Sequence, residues 1–271
     1  MKLSRISNEM NSEIRCIDIN SDMGESYGAW CMGDDNAMLD IVTSANVACG
    51  FHAGDPAGIS DTLQAAGKRN VVIGAHVSYH DIRGFGRRNM DVPDRELIAD
   101  VIYQIGALQA LAQVNGLTVK YVKPHGALYN TIANDRRQAD CVIRAILMTD
   151  PNLKIMVLAG SPIVNWAKEA GLSVISEAFA DRAYNPDGTL LSRTHAGAVL
   201  HNPDEVARRV VHLAKHGQVK AVDGSWVKME AQSVCVHSDS PGAVQMARAI
   251  RTLLKRNAVN VSSFFENNLN L

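Results

Sequence analysis

The chain has 271 residues, 46% of them hydrophobic and 20% charged, with a formal net charge of -1. This composition is typical of a globular protein with a large core, and the near-neutral charge argues against nucleic acid as a partner. Five scattered cysteines and the absence of an apolar run of signal-peptide or membrane-helix type predict a cytoplasmic protein without membrane contact.

Short apolar segments alternate with helical patterns along the whole chain. Segments rich in Val and Ile predict seven strands, at residues 16–20, 46–51, 71–76, 118–125, 154–160, 172–179 and 233–237. The intervening patterns predict helices at residues 34–44, 56–69, 93–115, 139–148, 203–216 and 241–255, several of which begin with Pro in the first turn. Such alternation, without a linker, predicts one α/β domain with a parallel sheet.

Each predicted strand is followed by polar or ionisable residues. They are Asn20 and Asp22, His52 and Asp55, His76, Lys123 and His125, Ser161, Glu177 with Asp181 and Arg182, and His237 with Asp239. An open doubly wound sheet needs such groups only near its switch point, whereas a closed barrel collects them from every strand. A single Asp at the end of a strand is more often a helix cap than a site residue, and a single His there is more often a structural residue. Four of the nine histidines in this position favour a shared site in a closed barrel.

Common catalytic motifs are absent. The sequence contains no phosphate-binding P-loop, no dinucleotide G-x-G-x-x-G after a strand, no G-x-S-x-G elbow and no H-E-x-x-H. Two other segments offer anion-binding groups. Arg87 and Arg88 lie in "GFGRR", where glycines allow close approach and guanidinium groups match phosphate, although a mobile loop paired with surface acids fits equally well. Lys123 and His125 flank Pro124 before a predicted helical turn.

Six segments resemble the LamB/YcsF (lactam-utilisation) family. They are "IDINSDMGESYG", "NVACGFHAGDP", "GAHVSYHDIRGFGRR", "VKPHGALYN", "EAFADRAY" and "CVHSDSPGAV", in order between residues 16 and 255. The resemblance implies a single (β/α) barrel of about seven strands, related to the glycoside hydrolase and deacetylase group. Residues 1–271 then form one domain, with residues 1–14 and 257–271 as terminal extensions. The chain departs from the family pattern at Val77, His80, Ser238 and Ser240.

The resemblance also implies a function, because family members are described as the A subunit of ATP-dependent 5-oxoprolinase. The expected reaction is the ring opening of 5-oxoproline to glutamate, with ATP and Mg²⁺ and with the B and C subunits as partners. The expected base is then Asp22 or Asp181. The expected proton donor is His52, His76 or His125. Arg87, Arg88 and Lys123 are expected to bind the nucleotide phosphates.

Two other functions fit the same residues. In the first, an Asp from the first strand and histidines from later strands bind a transition metal, and the protein hydrolyses an amide without ATP. In the second, the chain is a non-catalytic substrate-binding subunit that works only beside its partners.

Overall fold

A computed structural model of the chain describes residues 16–239 and 242–265. In chain order the strands are β1 (Cys16–Met23), β2 (Ser44–Ala48), β3 (Val72–His76), β4 (Val119–Val122), β5 (Lys154–Leu158), β6 (Ser173–Phe179), β7 (Gln218–Lys220), β8 (Trp226–Lys228), β9 (Ser233–Cys235) and β10 (Asn260–Val261). The seven predicted strands are therefore confirmed. The sequence patterns missed β10 and the small antiparallel pair of β7 and β8.

Seven of these strands close into a parallel barrel. The order β1-β2-β3-β4-β5-β6-β9 is completed by pairing of β9 with both β6 and β1. An open sheet would leave β1 and β9 unpaired with each other, so the closed-barrel prediction is confirmed. All seven carboxyl ends consequently meet at one end of the barrel, which is where the polar residues of the sequence converge.

Eight helices are present in the described residues, and they cover the outside of the barrel. They are α1 (Asp35–Leu39), α2 (Pro56–Gly67), α3 (Asp94–Val114), α4 (Gly126–Ile132), α5 (Arg136–Thr149), α6 (Ile163–Glu169), α7 (Pro203–His216) and α8 (Ala243–Arg256). Helix α1 is shorter than predicted because Ser44 already belongs to the fully buried strand β2. The predicted start of the last helix, Pro241, lies outside the described residues, as do Ser240 and the predicted extension of residues 1–14.

The helix ends follow the local chemistry of their residues. Asp55 and Asn202 accept hydrogen bonds from the first free N–H groups of α2 and α7, and each is followed by Pro. Helix α7 ends at Gly217, whose φ of 62° is the left-handed conformation that glycine adopts without strain.

Helix α3 is long and apolar enough, by length and composition alone, to cross a membrane. In the barrel it buries Leu97, Val101, Ile105 and Leu108, which recur at intervals of three or four residues and so lie on one face. This stripe packs into the main hydrophobic cluster of the domain. Packing on the barrel therefore explains the apolar residues of this face, whereas Tyr103 and Val114 of the same helix are exposed.

The end of the barrel opposite the strands' carboxyl termini is covered by the chain after α8. Strand β10 pairs in parallel with the start of β1, at Cys16 and Ile17. Phe264 then packs edge-on against Tyr121, with ring centroids 5.3 Å apart and an interplanar angle of 84°. Part of the expected terminal extension thus fills the end of the barrel at the strands' amino termini. The cavity lies at the other end, at the strands' carboxyl termini.

Candidate functional site

Strand β1 carries a polar residue at every second position. Asp18, Asn20 and Asp22 are all buried, and alternate residues of a strand share one face, so the three face the barrel interior. Asp18 is the deepest. It accepts hydrogen bonds from the hydroxyl groups of Thr43 (2.5 Å), Ser44 (2.7 Å) and Ser233. Burial raises the pKa of Asp18 to about 6 despite these bonds.

Lys123 lies at the centre of the polar interior, and its side chain is 2% exposed. Its Nζ is 2.8 Å from Glu177 Oε1, 3.2 Å from Asp22 Oδ1, 3.1 Å from Asn20 Oδ1 and 3.2 Å from Cys235 Sγ. Burial alone would lower the pKa of Lys123, but the neighbouring Asp22 and Glu177 raise it well above its usual value. Burial likewise acts to raise the pKa of Asp22, yet nearby cations hold it well below the usual range. Lys123 and Asp22 are therefore charged at neutral pH.

Amide and phenol groups hold this network in one arrangement. Asn46 Nδ2 donates to Asn20 Oδ1 (2.7 Å) and to Asp22 Oδ1 (2.8 Å), and Tyr121 donates to Asn46 Oδ1 (2.6 Å). Tyr129, on α4, donates to the second oxygen of Glu177 at 2.8 Å. The buried polar groups satisfy one another, so the charges at the barrel floor are fixed in place.

Three histidines and Glu25 form a cluster beside Lys123. His125 Nδ1 is 2.9 Å from His76 Nε2, and the rings of His52 and His125 stack at 3.9 Å. Glu25 Oε1 is 3.2 Å from His52 Nε2. Burial lowers the pKa of His52 and His125 well below the usual value and raises the pKa of Glu25 well above it. One ligand atom from each of the four residues lies within 4.8 Å of the others, so the cluster could hold a metal ion.

The segment "GFHAGDP" explains how His52 reaches this cluster. Gly50 and Gly54 have φ values of 86° and 83°, so the chain turns sharply on both sides of His52. A Cβ at Gly54 would lie only 2.5 Å from the carbonyl oxygen of Gly24, which belongs to the loop after β1. Gly54 therefore allows two loops to touch, and this contact places His52 against Glu25. Asp55 then caps α2, as described above.

His237 and Asp181 form a second pair at the wall of the site. His237 Nδ1 is 2.9 Å from both carboxylate oxygens of Asp181, and its ring stacks on Phe179. Burial acts to raise the pKa of Asp181, but the charge and hydrogen bond of His237 lower it overall. Because Nδ1 faces the carboxylate, Nε2 is the nitrogen of His237 that is left for a ligand.

These groups surround one open cavity of about 530 Å³. This volume is in the usual range for small-molecule sites. The acidic residue and the histidine and lysine residues that line it are Asp22, His76, Lys123, His125 and His237, together with the arginines Arg87, Arg182 and Arg193. Arg182 is buried, and burial lowers its pKa to about 10, which still leaves it charged at neutral pH. The cavity thus has a charged floor and three cations around it.

The predicted catalytic residues are brought together. Asp22, His76 and His125 line the cavity. His52 stacks on His125, and Asp181 is hydrogen-bonded to His237, so both lie directly behind residues that line the cavity. His80, which the sequence analysis did not count as a site residue, is exposed and stacks on Phe51.

The three predicted phosphate-binding residues are separated. Lys123 is at the floor, and Arg87 lines the cavity with its Nη2 2.7 Å from Asp239. Arg88 is paired with Asp81, its side chain is 65% exposed, and it is not among the described residues that line the cavity.

Glu25 was missed by the sequence analysis. It lies just past the end of β1, after Gly24, and no periodic pattern marks a loop carboxylate of this kind. The interior position of Asp18 could have been found, since the alternation of Asp18, Asn20 and Asp22 is visible in the sequence. Tyr129 could not have been found from the sequence, because only the packing of α4 brings it to Glu177.

Comparisons with known proteins agree on one family. The sequence profile of the LamB/YcsF family matches residues 17–268, which extends past residue 255, the end expected from the resemblance. One 5-oxoprolinase A subunit of Pseudomonas syringae pv. tomato, numbered 3, is 63% identical over 251 residues, covering 93% of this chain and 98% of the relative. The 5-oxoprolinase A subunit of Paracidovorax citrulli is 63% identical, with coverages of 92% and 99%. The crystal structure of the lactam utilization protein from Thermus thermophilus is 42% identical and has a TM-score of 0.87, covering 92% of this chain and 99% of that one.

Proposed function

The chain belongs to the LamB/YcsF family, and from this premise we propose that it is the A subunit of a multi-subunit 5-oxoprolinase. The proposed reaction opens the lactam ring of 5-oxoproline to glutamate with hydrolysis of ATP, together with the B and C subunits as partners in the cytoplasm. The near-complete coverage of relatives that carry this name supports the proposal. So does the fact that all five cysteines are free, as expected in a reducing compartment.

A lactam is a poor electrophile, and this accounts for the use of ATP. Transfer of the γ-phosphoryl group to the carbonyl oxygen gives an imidate phosphate, whose carbon is open to attack by water. Protonation of the ring nitrogen lets the C–N bond of this adduct break, which gives an acyl phosphate, and a second water then hydrolyses the acyl phosphate to glutamate and phosphate. The site must therefore supply positive charge for phosphate, a base for water and an acid for nitrogen.

We assign the proton transfer to His237, with Asp181 as its positioning partner. Asp22 is less suited as the base, because a carboxylate whose pKa is well below the usual range binds a proton poorly. His237 presents Nε2 to the cavity while Asp181 holds Nδ1, so the ring accepts a proton from water and then delivers it to the ring nitrogen of the substrate. The geometry of this pair is the single observation that carries the catalytic proposal.

We assign the phosphate contacts to the arginines around the cavity rather than to Lys123. A lysine ammonium has three N–H donors, and those of Lys123 already face Glu177, Asp22 and Asn20. Lys123 therefore contributes charge at the floor. Arg87, Arg182 and Arg193 offer guanidinium groups at the cavity, where they suit the nucleotide phosphates and Mg²⁺ is expected to accompany them.

The test is lactam-dependent release of ADP, measured for this chain alone and together with the B and C subunits. ADP release that requires both 5-oxoproline and this chain supports the proposal, and release that is unaffected by omitting the chain contradicts it. Arg87→Lys should weaken nucleotide binding by about 1–3 kcal/mol, since the paired guanidinium donors are lost. Arg88→Lys is the matched control and should leave binding unchanged, because Arg88 is not among the described residues that line the cavity.

A second candidate function is amide hydrolysis without ATP, which the Glu25 and histidine cluster favours. Product formation from a lactam or acylated amine in the absence of nucleotide would support it. The ADP-release assay with the full assembly tests the non-catalytic alternative. If this chain is not catalytic, variants of His237 and Asp181 leave turnover by the full assembly unchanged.

A further inference from the structure

The nitrogens of His76 and His125 that face each other have no proton donor between them. His76 Nδ1 lies 2.9 Å from the carbonyl oxygen of Lys123, and His125 Nε2 lies 2.9 Å from that of Phe85. A carbonyl oxygen only accepts hydrogen bonds, so each of these nitrogens carries a proton. In neutral rings the remaining nitrogens, His76 Nε2 and His125 Nδ1, then present lone pairs. They lie 2.9 Å apart, and Asp22 Oδ1 is 3.3 Å from His76 Nε2, so three acceptor atoms face one another, which is repulsive unless a cation, either a proton or a metal ion, lies between them.

A carboxylate converges on the same point. Glu25 Oε1 is 3.8 Å from His125 Nδ1, and the ligand atoms of Glu25, His76 and His125 all lie within 4.8 Å of one another. Ligands about 2.0–2.1 Å from a tetrahedral ion are separated by about 3.3 Å, which lies between the 2.9 Å of the two histidine nitrogens and the 3.8 Å of Glu25 Oε1 and His125 Nδ1. A proton shared by two nitrogens needs no third ligand, so the position of Glu25 favours a metal ion over a proton.

His52 cannot be a ligand in the same arrangement. Its ring is stacked on that of His125 at 3.9 Å with an interplanar angle of 7°, and one ion cannot lie in both of two parallel planes. The ring of His76, in contrast, is at 86° to that of His125, which allows both to point at one ion. His52 instead contacts Glu25 through Nε2 at 3.2 Å, so it orients the carboxylate.

We propose that His76 Nε2, His125 Nδ1 and the Glu25 carboxylate bind one divalent transition-metal ion of the zinc type. Two imidazoles and one carboxylate suit such an ion, whereas Mg²⁺ and Ca²⁺ prefer oxygen ligands alone. His76 and His125 both line the cavity, so the fourth position of a tetrahedral ion is open to a small ligand there.

A second group of ligand atoms, from Asp22, Cys235 and His237, is less suited to a metal. The Sγ atom of Cys235 is 3.2 Å from the ammonium group of Lys123, whose positive charge opposes a second cation. This group nevertheless provides a matched control, because it contributes a histidine to the same cavity.

The test is metal binding by the full chain after treatment with a chelator. Co²⁺ and Zn²⁺ are added in separate titrations, with binding followed by calorimetry, by metal analysis after dialysis and by the visible absorption of Co²⁺. We expect one equivalent of metal and a tetrahedral Co²⁺ spectrum. His76→Gln, His125→Gln and Glu25→Gln should abolish stoichiometric binding, while His237→Gln should leave it unchanged. His52→Gln should keep the stoichiometry but weaken affinity about 10–100-fold, as expected for a residue that orients a ligand.

Circular dichroism and thermal unfolding establish that each variant is folded before its metal content is compared. Absence of stoichiometric metal from the folded wild-type chain overturns the proposal and leaves a shared proton between the two histidines. Loss of binding in His237→Gln but not in His76→Gln also overturns it, because the ion would then lie in the other group. Since none of these measurements uses turnover, a negative result here is distinct from failure of the 5-oxoprolinase assay.

Discussion

Gly54 and Gly50 allow the contact between two loops of the site to be tested by a pair of single substitutions. Both have φ values in the left-handed region, 83° and 86°. At Gly50 the nearest atom to an added Cβ is the Gly54 carbonyl oxygen at 3.8 Å, an ordinary contact. At Gly54 the Cβ would lie 2.5 Å from the Gly24 carbonyl oxygen, with Ile59 and Ala48 at 3.0 and 3.1 Å. An added side chain would therefore strain the backbone equally at both positions, but only at Gly54 would its Cβ clash with neighbouring atoms.

The expected magnitudes follow from this difference. Alanine in the left-handed region costs about 1–2 kcal/mol, of which about 0.4–1 kcal/mol is offset by the lower entropy of the unfolded chain. Gly50→Ala should therefore lower the free energy of unfolding by about 1 kcal/mol. Gly54→Ala carries the same strain and in addition an overpacking cost of about 1–3 kcal/mol, since the clash is with backbone.

Urea unfolding of both variants, analysed with a common m-value, measures the difference. We expect Gly54→Ala to be the less stable variant by about 1–3 kcal/mol. Equal stability of the two variants would refute the reasoning, because it would mean that the loop after β1 moves away from Gly54 without cost. The close approach of the loops would then not be what holds His52 against Glu25.

Three other predictions concern buried charges. Burial raises the pKa of Asp18 from 3.8 to about 6, so the folded state binds this proton more tightly and stability falls as pH rises through that window. The difference in unfolding free energy between wild type and Asp18→Asn should change by about 3 kcal/mol between about pH 3 and pH 7, and a constant difference contradicts it. Lys123→Met leaves two buried carboxylates without their cation and should lower the unfolding free energy by about 3–5 kcal/mol; a urea midpoint equal to wild type would exclude this role. Asp181→Asn should lower turnover by the full assembly by about 10²–10⁴-fold with little change in substrate binding, and unchanged turnover would remove His237 from proton transfer.

The fold was predictable because each strand of a covered parallel barrel is a short apolar segment with a polar end. The segments around β3 and β5, for example, contain several consecutive apolar residues, and that pattern does not depend on tertiary contacts. Helix α6 was missed because its seven residues give too few turns for a periodic signal. Strand β10 has two residues and is defined only by its pairing with β1.

The site was predictable as a set of residues but not as an arrangement. The strand-end rule found His76 and His125, whose positions are fixed by β3 and by the start of α4. It could not distinguish Arg87 from Arg88, which are adjacent in the sequence. The turn at Gly86, with φ of 63°, sends one side chain to Asp239 and the other to Asp81. Neighbouring residues on such a turn diverge, so only the folded chain decides which of them meets a ligand.

The charges within the barrel explain why a cation should bind beside them. Asp22 and Glu177 both contact Lys123, so the buried ammonium group at the floor faces two carboxylates. Buried carboxylates are stable only when paired, hydrogen-bonded or protonated. The pKa of Asp18 is raised to about 6 by burial, which shows how strongly a further negative charge is opposed there. Among the described residues Glu25 has no lysine or arginine within ion-pair distance, and its ion-pair partners are His52 and His125. A divalent ion between Glu25, His76 and His125 would supply the positive charge that this part of the site lacks, and its binding should stabilise the folded chain in proportion to its affinity.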